Sequence, residues 1–314
     1  MKKFAFAAST LALSTGIAAA DVNVAFFLEW ATPNQIAKVE KAYDDAMGTD
    51  INWTNFNTGV GMSEAMIAGE IDISYSQGLA PFVSAVASGA PLKMVSIAVE
   101  YPPNKCFVAD SLGITADNAA DLEGMTVAVP LNTMADFSFR KQMTALGVDI
   151  DEINVVDQDP ASGAVALAEG AVAMACIFGG ASSAKADEVG TALMDNAALA
   201  AAGIQAFDVV SVTESFAAEN PDLVREFLAV TDAANASFTG SDSQMAIIAA
   251  DAGMDVETTK AQMSEFVFPS TEAQLTNYFG PDGTAAAAAA SLGLVFGADD
   301  AALLASTIDG SFLE

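Results

Sequence analysis

Residues 52–81 constrain the fold more than any other stretch, because they contain two short strands around one helix. Residues 53–56 alternate between apolar and polar as a strand does, and residues 71–75 predict a second strand. Between them, residues 62–69 carry an apolar stripe at helical spacing. The stretch therefore predicts a βαβ unit, and open α/β sheets bind small ligands at the carboxyl ends of their strands.

The two turns of this unit are polar and rich in small residues. Asn57 and Thr58 follow the first strand, and Ser76, Gln77 and Gly78 follow the second and open the next helix. They contain neither a metal-binding cluster nor a dinucleotide fingerprint. We interpret both turns as parts of a site that holds a ligand without changing it.

The first twenty residues have the pattern of a secretory signal peptide. Lys2 and Lys3 precede an apolar stretch over residues 4–17, and three alanines at 18–20 form a small-residue cleavage site. The apolar stretch is short for a membrane span. We therefore expect residues 1–20 to be removed on export and the protein to be periplasmic.

The charge balance excludes one class of partner. The chain has 11 Lys and Arg against 41 Asp and Glu, which gives a formal net charge of −30. Nucleic-acid binding depends on clustered cations that neutralise phosphate, so no nucleic-acid partner is expected. The acidity is typical of a very soluble surface, although it could also steer a cationic ligand.

The residues for catalysis are missing from the sequence. It contains no histidine and no G-x-S-x-G motif, so a serine or cysteine nucleophile would lack its usual base. A metal centre would lack its common nitrogen and sulfur ligands. We predict that the protein is not an enzyme and uses no cofactor or metal.

Two α/β patterns follow one another along the chain. The first ends near residue 100, where Pro102 and Pro103 form a stiff connector. A second pattern of strands and helices starts at Cys106, and the chain returns to the first near residue 206. We predict an α/β protein of two lobes, residues 21–104 with 206–314 and residues 105–205, that close on a ligand by hinge motion.

Two cysteines, Cys106 and Cys176, leave two interpretations open. In an oxidising compartment they could pair, closing a loop of about seventy residues that would stabilise the fold by roughly 4 kcal/mol. Each also lies in an apolar run, which is typical of a buried free thiol.

Four stretches of the chain resemble the periplasmic solute-binding proteins of ABC importers, in the branch that binds taurine and aliphatic sulfonates. They are NFNTGVGMSEAMIAGEIDISYSQGLAPFVSAVASGAPLKMV, DLEGMTVAVPLNTMADFSF, NVVDQDPASGAVALAEGAVAMACIF and FDVVSVTESFAAENPDLVREFLAV. The resemblance covers essentially the whole mature chain. It implies the two-lobed type II periplasmic-binding-protein fold, with the ligand in a cleft between the lobes.

The resemblance also implies a set of ligand-binding positions. Those in the first lobe are Phe27, Glu29, Trp30, Asn57, Thr58, Ser76, Gln77 and Gly78. Those in the second lobe are Asn132, Thr133 and Met134. Asp208 corresponds to the acidic residue that holds the ligand's amine. The chain has no Arg in these loops, so a sulfonate would rest on backbone N–H groups at helix starts.

One departure from the family pattern concerns the aromatic wall. Where the family often has Tyr-x-Trp-x-Pro, this chain has Cys-Ile-Phe-Gly-Gly at 176–180, so Phe178 and Trp30 would supply the wall instead. Phe178 and Trp30 could instead be core residues that only pack against their neighbours. Glu29 could equally be a helix N-terminal charge, Thr133 an N-cap and Asp208 a solvated strand end.

The predicted function is the capture of taurine or a related small sulfonate and its delivery to an ABC permease, by a monomer. A betaine-like ligand remains an alternative, since acids beside Trp30 suit a quaternary ammonium. A sensor role without transport is a further alternative. Relatives of this fold that synthesise a thiamine precursor depend on a histidine that this chain lacks.

Overall fold

We describe the protein from a computed structural model, which covers residues 21–280, 283–297 and 300–314. The predicted signal peptide lies outside the described residues. Within those ranges, no helix has the length and apolar character needed to cross a membrane.

In the described part of the chain, ten strands form two five-stranded sheets. The strands are β1 (Val22–Phe27), β2 (Ile51–Phe56), β3 (Ile73–Gly78), β4 (Leu92–Tyr101), β5 (Lys105–Ala109), β6 (Thr126–Val129), β7 (Asn154–Asp157), β8 (Met174–Ile177), β9 (Gly190–Ala192) and β10 (Ala206–Thr213). The first sheet has the order β2-β1-β3-β10-β4 and the second the order β7-β6-β8-β5-β9.

Both sheets are mixed. In the first, β1 pairs in parallel with β2 and β3, whereas β10 runs antiparallel to β3 and β4. In the second, β6 pairs in parallel with β7 and β8, and β5 runs antiparallel to β8 and β9. The chain enters the second sheet after residues 102–104 and is back in the first at β10. The predicted α/β fold with two lobes is confirmed.

Fifteen α-helices and four short 3₁₀ helices occur in the described part of the chain. The α-helices are α1 (Asn34–Val39), α2 (Ala42–Met47), α3 (Gly59–Ile67), α4 (Leu79–Ala87), α5 (Met134–Leu146), α6 (Pro160–Ala168), α7 (Gly180–Asp187), α8 (Asn196–Ala201), α9 (Glu214–Glu219), α10 (Pro221–Ser237), α11 (Asp242–Ala252), α12 (Val256–Ser264), α13 (Thr271–Asn277), α14 (Ala285–Val295) and α15 (Ala301–Ser306). The 3₁₀ helices are Asp110–Leu112, Ala116–Leu122, Ile150–Glu152 and Gly310–Leu313.

The strands bury side chains on both faces, which is why their sequences are so apolar. Along β1, Val22 and Val24 pack into one core cluster, while Ala25 and Phe27 pack into another on the opposite face. Side chains of a strand point alternately to its two faces, so each strand contributes to two cores. The carboxyl end of β1 therefore places Phe27 on the side where the second lobe lies.

The boundaries of β3 differ from those expected from the sequence. The strand begins two residues later than predicted and includes Ser76, Gln77 and Gly78, which we expected to lie in a loop. These residues pair with β10, where Gln77 lies opposite Val209 and Gly78 opposite Asp208. The antiparallel partner β10 comes from more than 120 residues later in the chain, and this long-range pairing overrides the local turn signal.

The two cysteines occupy directly opposed positions on neighbouring strands. Cys106 of β5 and Cys176 of β8 are register partners, both are buried, and the structure joins them in a disulfide. The pair closes a loop with a sequence separation of 70 residues in the core of the second lobe.

Candidate functional site

A cavity lies between the two lobes at the carboxyl ends of the first-sheet strands. It contains about 310 Å³ of space not filled by protein atoms, part of which is open to solvent. The residues that line it are Phe27, Trp30, Gly59, Gly78, Pro81, Tyr101, Asn104, Thr133, Met134, Phe178 and Asp208. Both lobes and the connector between them contribute to this lining.

Asp208 is the acidic group of the cavity. It belongs to β10, its residue surface is only 3% exposed, and both carboxylate oxygens accept hydrogen bonds. Ser76 Oγ donates to Oδ2 and the Tyr101 hydroxyl donates to Oδ1, each at 2.8 Å. Burial raises the pKa of Asp208 to about 7, against the two hydrogen bonds, which lower it.

Tyr101 and Trp30 hold this network in place. Burial raises the pKa of Tyr101 well above its ordinary value, so its hydroxyl remains a donor to Asp208. Trp30 Nε1 donates to Ser76 Oγ at 3.3 Å, and its ring meets that of Tyr101 edge-on at 4.9 Å between centroids. Phe266 contacts the Trp30 ring from another side at 4.8 Å. The acid is thus surrounded by aromatic rings.

Helix starts form the other part of the lining. Gly59 begins α3, Gly78 precedes α4 and Met134 begins α5. The lining residues, all of which the structure describes, include no Lys or Arg. The first N–H groups of a helix have no acceptor within it and carry partial positive charge. Negative charge in this cavity would therefore be bound by backbone groups.

Glycine is required at two of these helix starts because other atoms approach closely. A Cβ on Gly59 would lie 2.6 Å from Pro81 Cγ. A Cβ on Gly78 would lie 3.1 Å from Met134 Cγ, which belongs to the second lobe. The close approach of α5 to the end of β3 shows that the lobes are in contact around the cavity.

Glu29 makes the most extensive contact between the lobes. Its Oε2 accepts from the backbone N–H of Ser182 at 2.8 Å and from Ser182 Oγ at 2.7 Å. Its carbonyl oxygen accepts from the N–H of Gly180 and from Gln262 Nε2, each at 2.9 Å. Glu29 adopts a left-handed backbone conformation with a φ of 57°. It therefore joins the end of β1 to the first turn of α7.

Seven of the positions expected from the sequence line the cavity. They are Phe27, Trp30, Gly78, Thr133, Met134, Phe178 and Asp208. Phe27 and Phe178 face each other across the lobes at 6.0 Å between ring centroids. Thr133 is also an N-cap, since its Oγ1 accepts from the N–H groups of Ala135 and Asp136. The structure brings these positions together, and their contact with a ligand stays a prediction.

Six other expected positions do not line the cavity: Glu29, Asn57, Thr58, Ser76, Gln77 and Asn132. Most of them are engaged in hydrogen bonds within the protein. Thr58 caps α3, Ser76 donates to Asp208, and the Gln77 amide bonds to the carbonyl of Gly59, to Ser63 and to Ser211.

Asn57 and Asn132 differ from the other four residues of this group because they are exposed. The side chain of Asn57 is exposed, and so is that of Asn132, whose backbone N–H donates to Asp136 Oδ2. Neither is among the residues that line the cavity.

Four lining residues were missed in the sequence: Gly59, Pro81, Tyr101 and Asn104. Tyr101 and Asn104 flank the two prolines of the connector, so the connector itself was the available signal. Lys105, which follows Asn104, lies on a wider neighbouring groove that shares Trp30, Tyr101, Asn104 and Phe178 with the cavity. Among the described residues, no cluster of three or more His, Cys, Asp or Glu could hold a metal.

Comparison with known proteins places this geometry in a family. Residues 35–241, more than half of the chain, match the model of the family described as NMT1/THI5 like. The taurine-binding periplasmic protein of Escherichia coli K12 is 23% identical over 209 residues, which are 67% of this chain and 63% of that protein. The chain thus aligns with less than two thirds of this relative's length.

Solved structures show the same fold over almost the whole chain. The alkanesulfonate-binding protein SsuA of Xanthomonas axonopodis pv. citri, bound to MOPS, superposes with a TM-score of 0.74 at 18% identity, covering 92% of this chain and 98% of that one. The periplasmic aliphatic sulphonate binding protein SsuA of Escherichia coli gives a TM-score of 0.69 at 18% identity, covering 93% and 98%. The chain therefore has the type II periplasmic-binding-protein fold and belongs to the NMT1/THI5-like family.

Proposed function

We propose that the protein is the extracytoplasmic solute-binding component of an ABC importer and captures taurine or a related small sulfonate between its lobes. One observation carries the proposal. A buried carboxylate and several helix starts line the same cavity, and the lining contains no side-chain cation. Such a site suits a small zwitterion, with its ammonium on Asp208 and its sulfonate on backbone N–H groups.

The helix starts support the anionic end of the ligand. Thr58 and Thr133 already accept from inner N–H groups of α3 and α5, so the N–H groups of Gly59 and Met134 are those that an anion would meet. Hydrogen bonds to a charged group contribute about 1.5–3 kcal/mol each. Two or three such bonds are enough to hold a sulfonate without an arginine.

Contacts across the lobes support capture by closure. Glu29 joins β1 to α7, and Phe27 faces Phe178 across the cavity. Ligands that bind only the closed form shift the protein toward it. The rings and the Glu29 bonds would then cover the ligand on the side away from the sheets.

We place the hinge at the two chain crossings, with one lobe formed by residues 21–104 and 206–314 and the other by residues 105–205. The outgoing crossing is the connector at 102–104. The return crossing lies between β9 and β10, where Leu199 and Ile204 pack against residues of the first lobe. We further propose a periplasmic monomer that delivers its ligand to an ABC permease.

A calorimetric titration of ligand-stripped protein with taurine tests the proposal. Ethanesulfonate, which lacks the amine, and Asp208→Asn are the matched controls. We expect taurine to bind with micromolar affinity or better, and each control to bind at least tenfold more weakly because the ammonium–carboxylate pair is lost. Equal binding of taurine by the wild type and Asp208→Asn would remove Asp208 from the ligand site.

A betaine-like ligand is a second candidate, favoured by the aromatic rings around Asp208. Trp30 contacts both Tyr101 and Phe266, and such rings attract quaternary ammonium groups. Competition between taurine and glycine betaine for the same protein separates the two candidates. Displacement of taurine by equimolar glycine betaine would favour the second.

A further inference from the structure

Among the lining residues, all of which the structure describes, Asn104 has a buried side-chain oxygen, Oδ1, without a hydrogen-bond partner. The other polar side chains of the lining are engaged: Trp30 donates to Ser76, Tyr101 donates to Asp208, and Thr133 donates to the carbonyl of Pro130. Asn104 is only 8% exposed, and its Oδ1 is buried without a hydrogen-bond partner. A buried acceptor left unpaired costs stability, so a partner from outside the protein is expected.

The backbone of Asn104 is held firmly, so its amide stays at the cavity. Its carbonyl oxygen accepts from Ser138 Oγ at 2.6 Å and from Gln142 Nε2 at 3.3 Å, both on α5. Pro102 and Pro103 precede it and restrict the chain, and β5 begins at the next residue. Because these contacts use only the main chain, a substitution of the Asn104 side chain leaves them in place.

We propose that Asn104 Oδ1 accepts a hydrogen bond from the ligand's ammonium group and thereby selects amines that carry at least two N–H groups. One N–H would pair with Asp208 and a second with Asn104. This inference rests on the proposed function and specifies the substrate class of the same site. Primary and N-monoalkyl ammonium sulfonates satisfy both acceptors, whereas dialkyl and quaternary ammonium sulfonates leave at least one of them unpaired.

The neighbouring groove gives a single N-substituent room. It contains about 1,320 Å³ of space not filled by protein atoms and shares Asn104, Tyr101 and Phe178 with the cavity. A substituent on the amine would point past Asn104 into this groove. Selection would therefore depend on the number of N–H groups and not on the bulk of the amine.

A methylation series on one ligand tests the inference. Taurine, N-methyltaurine, N,N-dimethyltaurine and N,N,N-trimethyltaurine are titrated into the wild type, Asn104→Ala and Asn104→Asp, with ethanesulfonate as the ligand without an amine. In the wild type we expect taurine and N-methyltaurine to bind with affinities within about threefold of each other. N,N-dimethyltaurine should bind at least about tenfold more weakly, since a hydrogen bond to a charged group is lost.

The variants decide whether Asn104 causes this loss of affinity between N-methyltaurine and N,N-dimethyltaurine, which we call the dimethylation step. Asn104→Ala should bind taurine about tenfold more weakly and lose the step between the second and third ligands, while Asn104→Asp keeps an acceptor and keeps the step. An Asn104→Ala protein with the wild-type profile overturns the inference. Equal weakening of every ligand, ethanesulfonate included, places Asn104 at the sulfonate end and also overturns it.

The same series separates this inference from the proposed function. If the wild type binds taurine but shows no step on dimethylation, only the role of Asn104 fails. If the wild type binds no member of the series, the proposed function fails and the inference fails with it. Thermal melting of the three proteins confirms that each is folded under the conditions of the titration.

Discussion

Ligand affinity should depend on pH through Asp208. Burial raises the pKa of this carboxyl group from its ordinary value of 3.8 to about 7, and its neighbours Tyr101 and Ser76 donate hydrogen bonds that only partly offset this effect. The proposed ligand pairs its ammonium with the ionised carboxylate. Below pH 7 the ligand must therefore first displace a proton from Asp208, so binding weakens as the pH falls.

The size of the effect follows from the ionised fraction. A group with a pKa of about 7 is ionised to about 90% at pH 8 and to about 10% at pH 6, so the apparent Kd for taurine should rise about ninefold, or close to 1.3 kcal/mol. The ligand does not add to this change, since its ammonium, like that of lysine, and its sulfonate both keep their charge. At pH 7 binding should release about half a proton per ligand.

Calorimetry at pH 6, 7 and 8, in two buffers of different ionisation enthalpy at each pH, measures both the affinity and the proton release. Asp208→Asn is the matched control, because its amide does not titrate and its taurine affinity should be flat over this range. A wild-type Kd that is constant between pH 6 and 8 would refute the reasoning. A slope that persists in Asp208→Asn would assign it to another group.

The raised pKa of Asp208 also affects the stability of the ligand-free protein. Because the folded pKa lies above the unfolded value, the contribution of Asp208 to stability is complete below about pH 3.8 and falls as the pH rises, until it is lost above about pH 7. The loss amounts to about 4 kcal/mol at most. We therefore expect Asp208→Asn to gain stability relative to the wild type between pH 5 and 8, which denaturant titration measures.

Three further predictions concern the contacts around the cavity. Glu29→Gln and Ser182→Ala should each weaken taurine binding about fivefold or more by destabilising the closed form, and the double variant should lose little beyond either single one; additive losses would contradict a shared bond. Gly59→Ala should cost about 1–3 kcal/mol of stability and weaken binding, because its Cβ would lie 2.6 Å from Pro81. Gly163→Ala, inside α6 with nearest atoms at 3.6 Å, should instead raise stability by about 0.5–1 kcal/mol and leave binding unchanged. Replacing both cysteines of the 106–176 disulfide by alanine should lower the free energy of unfolding by about 4 kcal/mol and leave the taurine Kd unchanged, as measured by denaturation and calorimetry.

Local patterns predicted much of the scaffold. The βαβ pattern of residues 52–81 and the N-cap Thr133 depend on residues a few positions apart, so they can be recognised in the sequence. The break between α1 and α2 is different, because Lys41 adopts a φ of 59° there although no glycine or proline marks the position. Tertiary packing of the two short helices decides that break.

The candidate site was only half predictable, for a physical reason. Phe27, Trp30 and Asp208 were predicted from the resemblance to the family, and the structure places them at or near strand ends, where an α/β sheet presents its ligands. Tyr101 and Asn104 entered the cavity through a connector whose path depends on how the two lobes dock. No periodicity in the sequence describes that docking.

The sequence by itself determined the α/β class, the two successive sheets and the turns that face the cleft, because these depend on side-chain alternation and on helix caps. Only the tertiary structure decided which polar groups are free. Asp208 meets Ser76 across 132 residues and Tyr101 across 107, and Glu29 meets Ser182 across 153. Hydrogen bonds over such separations leave no local pattern, so the fold alone revealed that Glu29 joins the lobes and that Asn104 remains unpaired.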